Sequence, residues 1–299
     1  MVETSGNRDD GSNRSHTETG ARRHHFAARH RIRPRSAGSK PTQAPWPARE
    51  HIVKTLFIAW QDTDSRRWFP IGQLTADGSR YGFSYTEGAR EAQRECGFCP
   101  LPSFPDFAVV YESDSLFPLF SNRVLSPSRP EYSEFAQWLN MPQNEDDPIM
   151  LLARSGGRRT TDTLEVYPRP EPDNEGKYHI HFFVHGLRHL PKERSERVAQ
   201  LHVGDPLFLA PDSQNLHDPN ALTVRTEDSC IVGYCPRYLL PDAFGINSRA
   251  HIQLAVERVN PPPAPVQLRL LCSLTARWPQ GFQPFSTPSY QPIPAQLAV

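Results

Sequence analysis

Apolar and polar positions divide this chain into regions of different character. Residues 54–85 carry short runs dense in aromatic and β-branched side chains ("TLFIAW", "WFPIGQLT", "RYGFSYT"), with "DTDSRR" and "ADGSR" between them. Such runs, bounded by Asp, Ser and Gly, predict a three-strand β-meander. "EGAREAQREC" (87–96) predicts a short helix. "PLPSFPDF" (100–107) has three prolines, which lack the amide donor that regular structure needs. In "SPSRPEYSEFAQWLN" a helix is expected, because Ser128 and Glu131 have the spacing of a capping box and Pro130 suits the first turn. Tyr132, Phe135, Ala136 and Leu139 then share one helical face. "PIMLLARSGG" predicts another short helix and "TDTLEVYP" a strand.

The proline-rich acidic stretch "PRPEPDNEG" (168–176) reads as a linker. Beyond it the pattern alternates. In 179–187, Ile180, Phe182 and Val184 fall on one face, and His179, His181, Phe183 and His185 on the other. "PLFLA", "ALTVRT", "CIVGY", "HIQLAVERV" and "VQLRLLCSL" (266–274) are five more candidate strands. Short strands joined by tight connections predict a small barrel or sandwich. The expected fold class is mainly β with short helices (α+β). The expected organisation is a tail (1–50), a first module (51–167), the linker (168–176), a β-barrel (177–276) and a Pro-rich extended tail (277–299).

Charge sharpens this picture at one place. The chain holds 33 basic and 33 acidic residues, but 10 of the basic and 5 of the acidic ones lie in residues 1–50. That region is rich in Arg, Ser, Gly and His and poor in large apolar groups, so it is expected to be disordered. "RRHHFAARHRIRPR" (22–35) offers salt-sensitive attraction to nucleic acid or to acidic partners. No run of about 18 apolar residues predicts a membrane span, and the first 30 residues lack the apolar stretch of a secretory leader. Five cysteines, an odd number, suggest free thiols in a reducing compartment, so a cytoplasmic protein is expected.

Four blocks in the second half carry a resemblance: "FFVHGLRHL", "GDPLFLA", "QNLHDPNALTV" and "CIVGYCPRYLLPDAF". They follow the pattern Gly-Leu-Arg, Gly-Asp-x-Leu-x-Leu, Asn-x-x-Asp-Pro-Asn-Ala and Gly-Tyr-x-Pro-Arg. Over roughly 178–260 the chain resembles the HIRAN domain family. The resemblance implies a small β-barrel that binds the free 3′ end of single-stranded DNA. It places Asp218 against the terminal hydroxyl, Arg188 and Arg237 near phosphates, and Asn215 and Tyr234 in the same pocket. His189 and His217 stand where the family's DNA-end reader has tyrosines, which leaves less area to stack a base. More weakly, "IGQLTADGSRYGFSYT", "PLPSFPD" and "LFPLFSNRVLSPSRPEYSEFAQWL" resemble the N-terminal subdomain of HipA-type proteins over about 54–167. No glycine-rich phosphate loop or kinase-type catalytic loop accompanies it.

The expected function is therefore non-catalytic binding of nucleic acid, with no cofactor and no membrane partner. Residues 178–258 hold 8 Lys/Arg and 9 Asp/Glu, which suits the reading of a strand terminus better than tracking along a duplex. Asp218 also fits a turn cap, or an internal ion pair with Arg188 or Arg237. One alternative is a protein-interaction adaptor that docks a protein partner through the HipA-like module, with Trp60, Trp68, Phe117 and Phe120 as core or interface. The other is a zinc-dependent hydrolase acting on nucleic acid or acid anhydrides. Two pairs, Cys96 with Cys99 and Cys230 with Cys235, supply thiolates of the kind zinc takes. They lie in different modules, however, and the odd spacing in "CIVGYC" points its ends to opposite strand faces. His179, His181 and His185 share a strand face and are the other candidate metal set.

Overall fold

The computed structural model describes residues 54–78, 80–142, 147–215 and 218–295, so the basic tail and His217 lie outside the described residues. The expected meander is β1 (Lys54–Gln61), β2 (Trp68–Asp77) and β3 (Arg80–Tyr85). Two further strands, β4 (Tyr111–Ser113) and β5 (Leu164–Pro168), complete an antiparallel sheet of order β4-β3-β2-β1-β5. Around it lie α1 (Glu87–Cys96), α2 (Pro118–Ser121), α3 (Tyr132–Trp138) and α4 (Pro148–Ser155). The α4 helix begins on Asp147, whose Oδ1 accepts the Ile149 amide at 2.8 Å, and ends on Gly156 at φ 74°. The α3 helix departs from expectation: it starts at Tyr132 without a side-chain cap. Ser128 is turned back instead, with its hydroxyl 2.9 Å from that of Ser126. A local serine–serine turn has displaced the capping box.

The second sheet is made of β6 (Lys177–Phe183), β7 (Pro206–Pro211), β8 (Leu222–Arg225), β9 (Ile231–Tyr234), β10 (Ile252–Val259) and β11 (Leu270–Arg277). Its order is β6-β11-β10-β7-β8-β9, antiparallel throughout. A bridge between His185 and Tyr234 brings the two ends together, so the sheet curls into a half-barrel. Two helices, α5 (Lys192–Ala199) and α6 (Leu240–Asn247), were not legible in the sequence. Val198 is the one buried residue of α5, so that helix has no apolar stripe to read. The last strand also begins later than expected. Val266–Leu268 is a 3-10 turn, and β11 starts at Leu270. Leu270, Cys272 and Leu274 point into the main core, while Leu271 joins Phe183, Leu139 and Leu151 in a smaller one.

The two sheets are joined through β1, whose two faces pack into different cores. Leu56 and Ile58 pack with Phe69, Phe83 and Leu152 on one side. Phe57 and Ala59 pack on the other side with Ile180, Phe182, Val232 and Leu254 of the half-barrel. Most of the expected linker, from Glu171 to Gly176, is exposed as its composition suggests, but it does not separate two independent cores. Phe117 and Phe120 are core residues and Trp60 and Trp68 are partly buried against it, so they do not form an exposed aromatic surface.

Polar contacts also cross the seam between the sheets. The Asn260 amide donates to the carbonyls of Trp138 and Leu268, at 2.8 and 2.6 Å. The buried Glu165 carboxylate lies 3.1 Å from His185 Nε2 and 4.0 Å from Arg158 Nη1. Burial raises the Glu165 pKa, but the charge and hydrogen bond of His185 together with Arg158 outweigh it and bring the carboxyl below its usual value.

The Pro-rich segment after 277 is not a trailing tail over its described length. Phe285 and Tyr290 are buried in the main core, and Ile293 in the core of the first sheet. The Ile293 amide donates to Tyr85 O (2.9 Å), and Glu87 N–H donates to Gln291 O (2.8 Å). Gly88 makes room for this strap, since a Cβ there would lie 2.1 Å from Pro70 O and 3.0 Å from Ser289 O. Proline density predicts an extended tail, but aromatic side chains spaced between the prolines supply enough apolar area to dock it. Among the described residues no helix is long and apolar enough to cross a membrane.

Asp242 anchors the strap. Its carboxylate accepts the Phe285 amide at 3.1 Å and the Tyr178 hydroxyl at 3.4 Å. Burial pushes its pKa up to about 6, against the smaller opposing effect of those hydrogen bonds. A raised carboxyl pKa means the folded chain holds the proton more tightly than the unfolded one. The stability this contributes is full below the unfolded value near 4 and is lost as pH rises through about 6. Asp242→Asn, which cannot ionise, should therefore gain stability relative to the parent between pH 4.5 and pH 7, on the order of 1–3 kcal/mol. Urea melts at the two pH values measure this; an equal difference at both would contradict it.

Candidate nucleic-acid interface

Two glycines set the geometry of the candidate site. Gly233, in β9, has φ 136°, and a Cβ there would sit 2.3 Å from Val184 Cγ1 and 2.7 Å from His185 O. Only a residue without a side chain allows β9 to lie so close to the end of β6. Gly186 has φ 78°, and a Cβ at this position would approach the Tyr234 ring to 3.0 Å. The 3-10 turn Leu187–His189 follows and carries Arg188 and His189 outward. The Gly-Leu-Arg and Gly-Tyr blocks, about 45 residues apart in sequence, are thus neighbours because the half-barrel closes here.

The loop between β7 and β8 supplies the polar groups, and its organiser is a residue that sequence reasoning missed. Asp212 Oδ2 accepts the Tyr234 hydroxyl at 3.0 Å and lies 3.3 Å from Asn215 Nδ2. Asn215 Oδ1 in turn accepts the Asp218 amide at 3.0 Å. Partial burial, then the hydrogen bond and charge of Asp212, raise the pKa of Tyr234 above the ordinary phenol value, which keeps the hydroxyl protonated as a donor. The spacing Asp212-x-x-Asn215 within a turn-rich loop was the available signal, since Asx side chains that bond their own loop fix its shape.

Asp218 combines two of the roles expected of it. Oδ1 accepts the Asn220 amide at 3.0 Å, as a turn cap does. Oδ2 faces Arg237 Nε at 2.9 Å, with side-chain exposures of 17% for the aspartate and 27% for the arginine. Each carboxylate oxygen has lone pairs beyond the one engaged, so a hydroxyl can still be accepted. Arg188 is not part of this pair. It is exposed, and its Nε donates to His189 Nε2 at 3.2 Å. Of the two arginines considered as ion-pair partners, Arg237 pairs with Asp218, and Arg188 stands on the 3-10 turn Leu187–His189. Tyr234 and Asn215 meet at Asp212, Asp218 joins them through Asn215, and Arg237 through Asp218; Arg188 and His189 are exposed on the turn after Gly186.

The metal candidates do not assemble. Among the described residues no group of three or more His, Cys, Asp or Glu side chains comes together as a metal site. Cys235 is buried and Cys230 half-buried, and all five thiols are free. The His179 and His181 rings lie 4.4 Å apart, but His179 Nε2 is 2.9 Å from Ser273 Oγ and His185 faces Glu165. Burial, followed by the charge of Arg154, pushes the His181 pKa down to about 3, so this imidazole is neutral near pH 7.

Comparison with known proteins gives this region a family. Residues 177–278 match the family model of the HIRAN domain. Among solved structures, a structural-genomics target protein from Lactobacillus plantarum is 24% identical, covering 34% of this chain and 97% of its own, with a TM-score of 0.27. The HIRAN domain of human HLTF is 19% identical, covering 34% of this chain and 78% of its own, with a TM-score of 0.25. No curated protein matches the chain. The assignment of 177–278 rests on the family model, and the HipA-type resemblance of 54–167 has no counterpart among these matches.

The crossing at Gly233 yields a direct test. Gly233→Ala places a methyl group against backbone and at a disfavoured φ, so it should destabilise the chain by roughly 2 kcal/mol or more. Chemical denaturation monitored by tryptophan fluorescence reads this, and a parent-like midpoint would rule out the close approach.

Proposed function

We propose, from the HIRAN domain at 177–278, that this protein binds DNA through the Asp212–Asn215–Asp218–Tyr234–Arg237 constellation and recognises the free 3′ end of a single strand. HIRAN domains are DNA-binding domains, which supports a nucleic-acid partner. The observation that carries the finer reading is the Asp218–Arg237 pair at the rim of the half-barrel. A carboxylate repels phosphate, so its presence in a DNA site suits a single role, that of accepting the hydrogen of a terminal hydroxyl. Such a charge-assisted bond is worth about 1.5–3 kcal/mol.

The other groups divide the remaining work. Arg237 offsets the carboxylate's repulsion and offers guanidinium donors to an adjoining phosphate oxygen, with Arg188 as a second cation on its exposed turn. The Tyr234 and His189 rings supply aromatic faces for the last bases; such stacking is worth about 1–3 kcal/mol per base and is indifferent to sequence. Asp212 is a positioning residue that holds Tyr234 and Asn215. The near-neutral balance of the domain limits binding along a duplex and leaves the end as the preferred target.

Asp218→Asn separates recognition from the turn, because the amide oxygen still accepts the Asn220 amide hydrogen. Its affinity for single strands ending in a 3′-hydroxyl should fall about 10- to 100-fold. Affinity for a 3′-phosphate end should hold or rise, since Arg237 loses its internal anion. Fluorescence anisotropy with the two oligonucleotides measures the ratio, and an equal loss on both would refute the assigned role.

A further inference from the structure

Arg237 has a second partner, and it comes from the other sheet. Its Nη1 donates to the carbonyl of Arg66 at 2.6 Å, a contact between residues 171 positions apart. Arg66 belongs to the turn between β1 and β2, outside the residues that match the family model. The turn is built to hold this carbonyl in place. Asp62 Oδ2 accepts both the amide and the hydroxyl of Ser65, at 2.7 and 2.6 Å. The Arg66 amide donates back to Asp62 O at 3.1 Å, and the Asp62 amide donates to Arg67 O at 2.9 Å. Gln61 Nε2 is a further donor to Arg66 O, at 3.1 Å. Together these bonds hold Arg66 at φ 60°, a conformation that side-chain-bearing residues seldom adopt.

The two arginines of the turn have different surroundings. Arg67 pairs with Glu95 and lies over the Phe69 ring, 5.1 Å from its centroid. The Arg66 side chain is exposed and makes no hydrogen bond or ion pair with the described residues. A guanidinium with no partner among the described residues thus stands on a rigid turn whose backbone touches the arginine assigned to phosphate. Asp62 is engaged within the turn by Ser65, and Asp64 is exposed.

We infer that the Asp62–Arg67 turn of the first sheet is part of the nucleic-acid surface, with Arg66 taking a backbone phosphate of the single strand as it leaves the Asp218 pocket. The inference rests on the end-binding reading above and extends it beyond the HIRAN domain. The turn both supplies a cation and, through its carbonyl, orients Arg237. Exposed guanidinium groups that meet phosphate displace a condensed counterion, which makes the contribution visible in salt dependence.

The test uses the full chain and anisotropy titrations of labelled single strands at several salt concentrations, comparing the parent with Arg66→Gln, Arg66→Glu and Asp218→Asn. Arg66→Gln should weaken binding about 3- to 10-fold and reduce the slope of log K against log salt by roughly 0.7, the value for one contact to a single strand. Arg66→Glu should weaken it further. Both should keep the parent's preference for a 3′-hydroxyl over a 3′-phosphate. Parent-like affinity and slope in Arg66→Gln, with the end preference lost in Asp218→Asn, would overturn the turn's role and leave end recognition standing. Loss of the end preference in Arg66→Gln would assign its effect to Arg237's position and overturn a direct contact. A parent chain that does not bind single strands at all would overturn both.

Discussion

One strand holds this structure together. The central residues of β1, Leu56–Ala59, are buried, and they enter the core of the first sheet and the core of the half-barrel by turns. A strand of this kind cannot present a polar face to solvent, which is why its sequence is a continuous apolar run and not an alternation. The arrangement fixes the first sheet against the half-barrel. It sets the turn after β1 where Arg66 meets Arg237, and it brings Glu165 of β5 to His185, just past the end of β6. Polar contacts across the seam are specific because the apolar packing beneath them permits one register.

Much of the fold was legible from local pattern. The meander, α1, α4 and the alternating strands after 177 all follow from periodicity and turn residues, because each has a clear apolar face or a defined boundary. What was missed shares one cause. The helix α5 is charged nearly all round, and the segment after 277 looks like a solvated tail by composition. In each case the partner that buries the residue lies far away in sequence. Local pattern reports the faces of an element, and it says nothing of what arrives to cover them.

The candidate residues divide by where the fold places them. The resemblance picked out Asn215, Asp218, Tyr234 and Arg237, which do converge, and Arg188, which stays on its own turn. Asp212 escaped because its role is to accept from two neighbours, a property of geometry and not of residue type. Gly233 and Gly186 carried more information than their size suggests: one permits a backbone crossing and the other receives an aromatic ring. Both lie where the half-barrel closes, beside the candidate residues.

The docked strap has a consequence for how the chain acquires its structure. Ser289 bonds Glu91 across 198 positions, and the Tyr290 hydroxyl meets that of Tyr167 across 123. Contacts so remote in sequence wait until both partners have been made. During synthesis the early strands leave the ribosome long before the aromatic residues that seal them. Until those residues emerge, apolar surface on both sheets stays open to water, and chaperones that hold exposed apolar segments have their longest opportunity to act on this nascent protein.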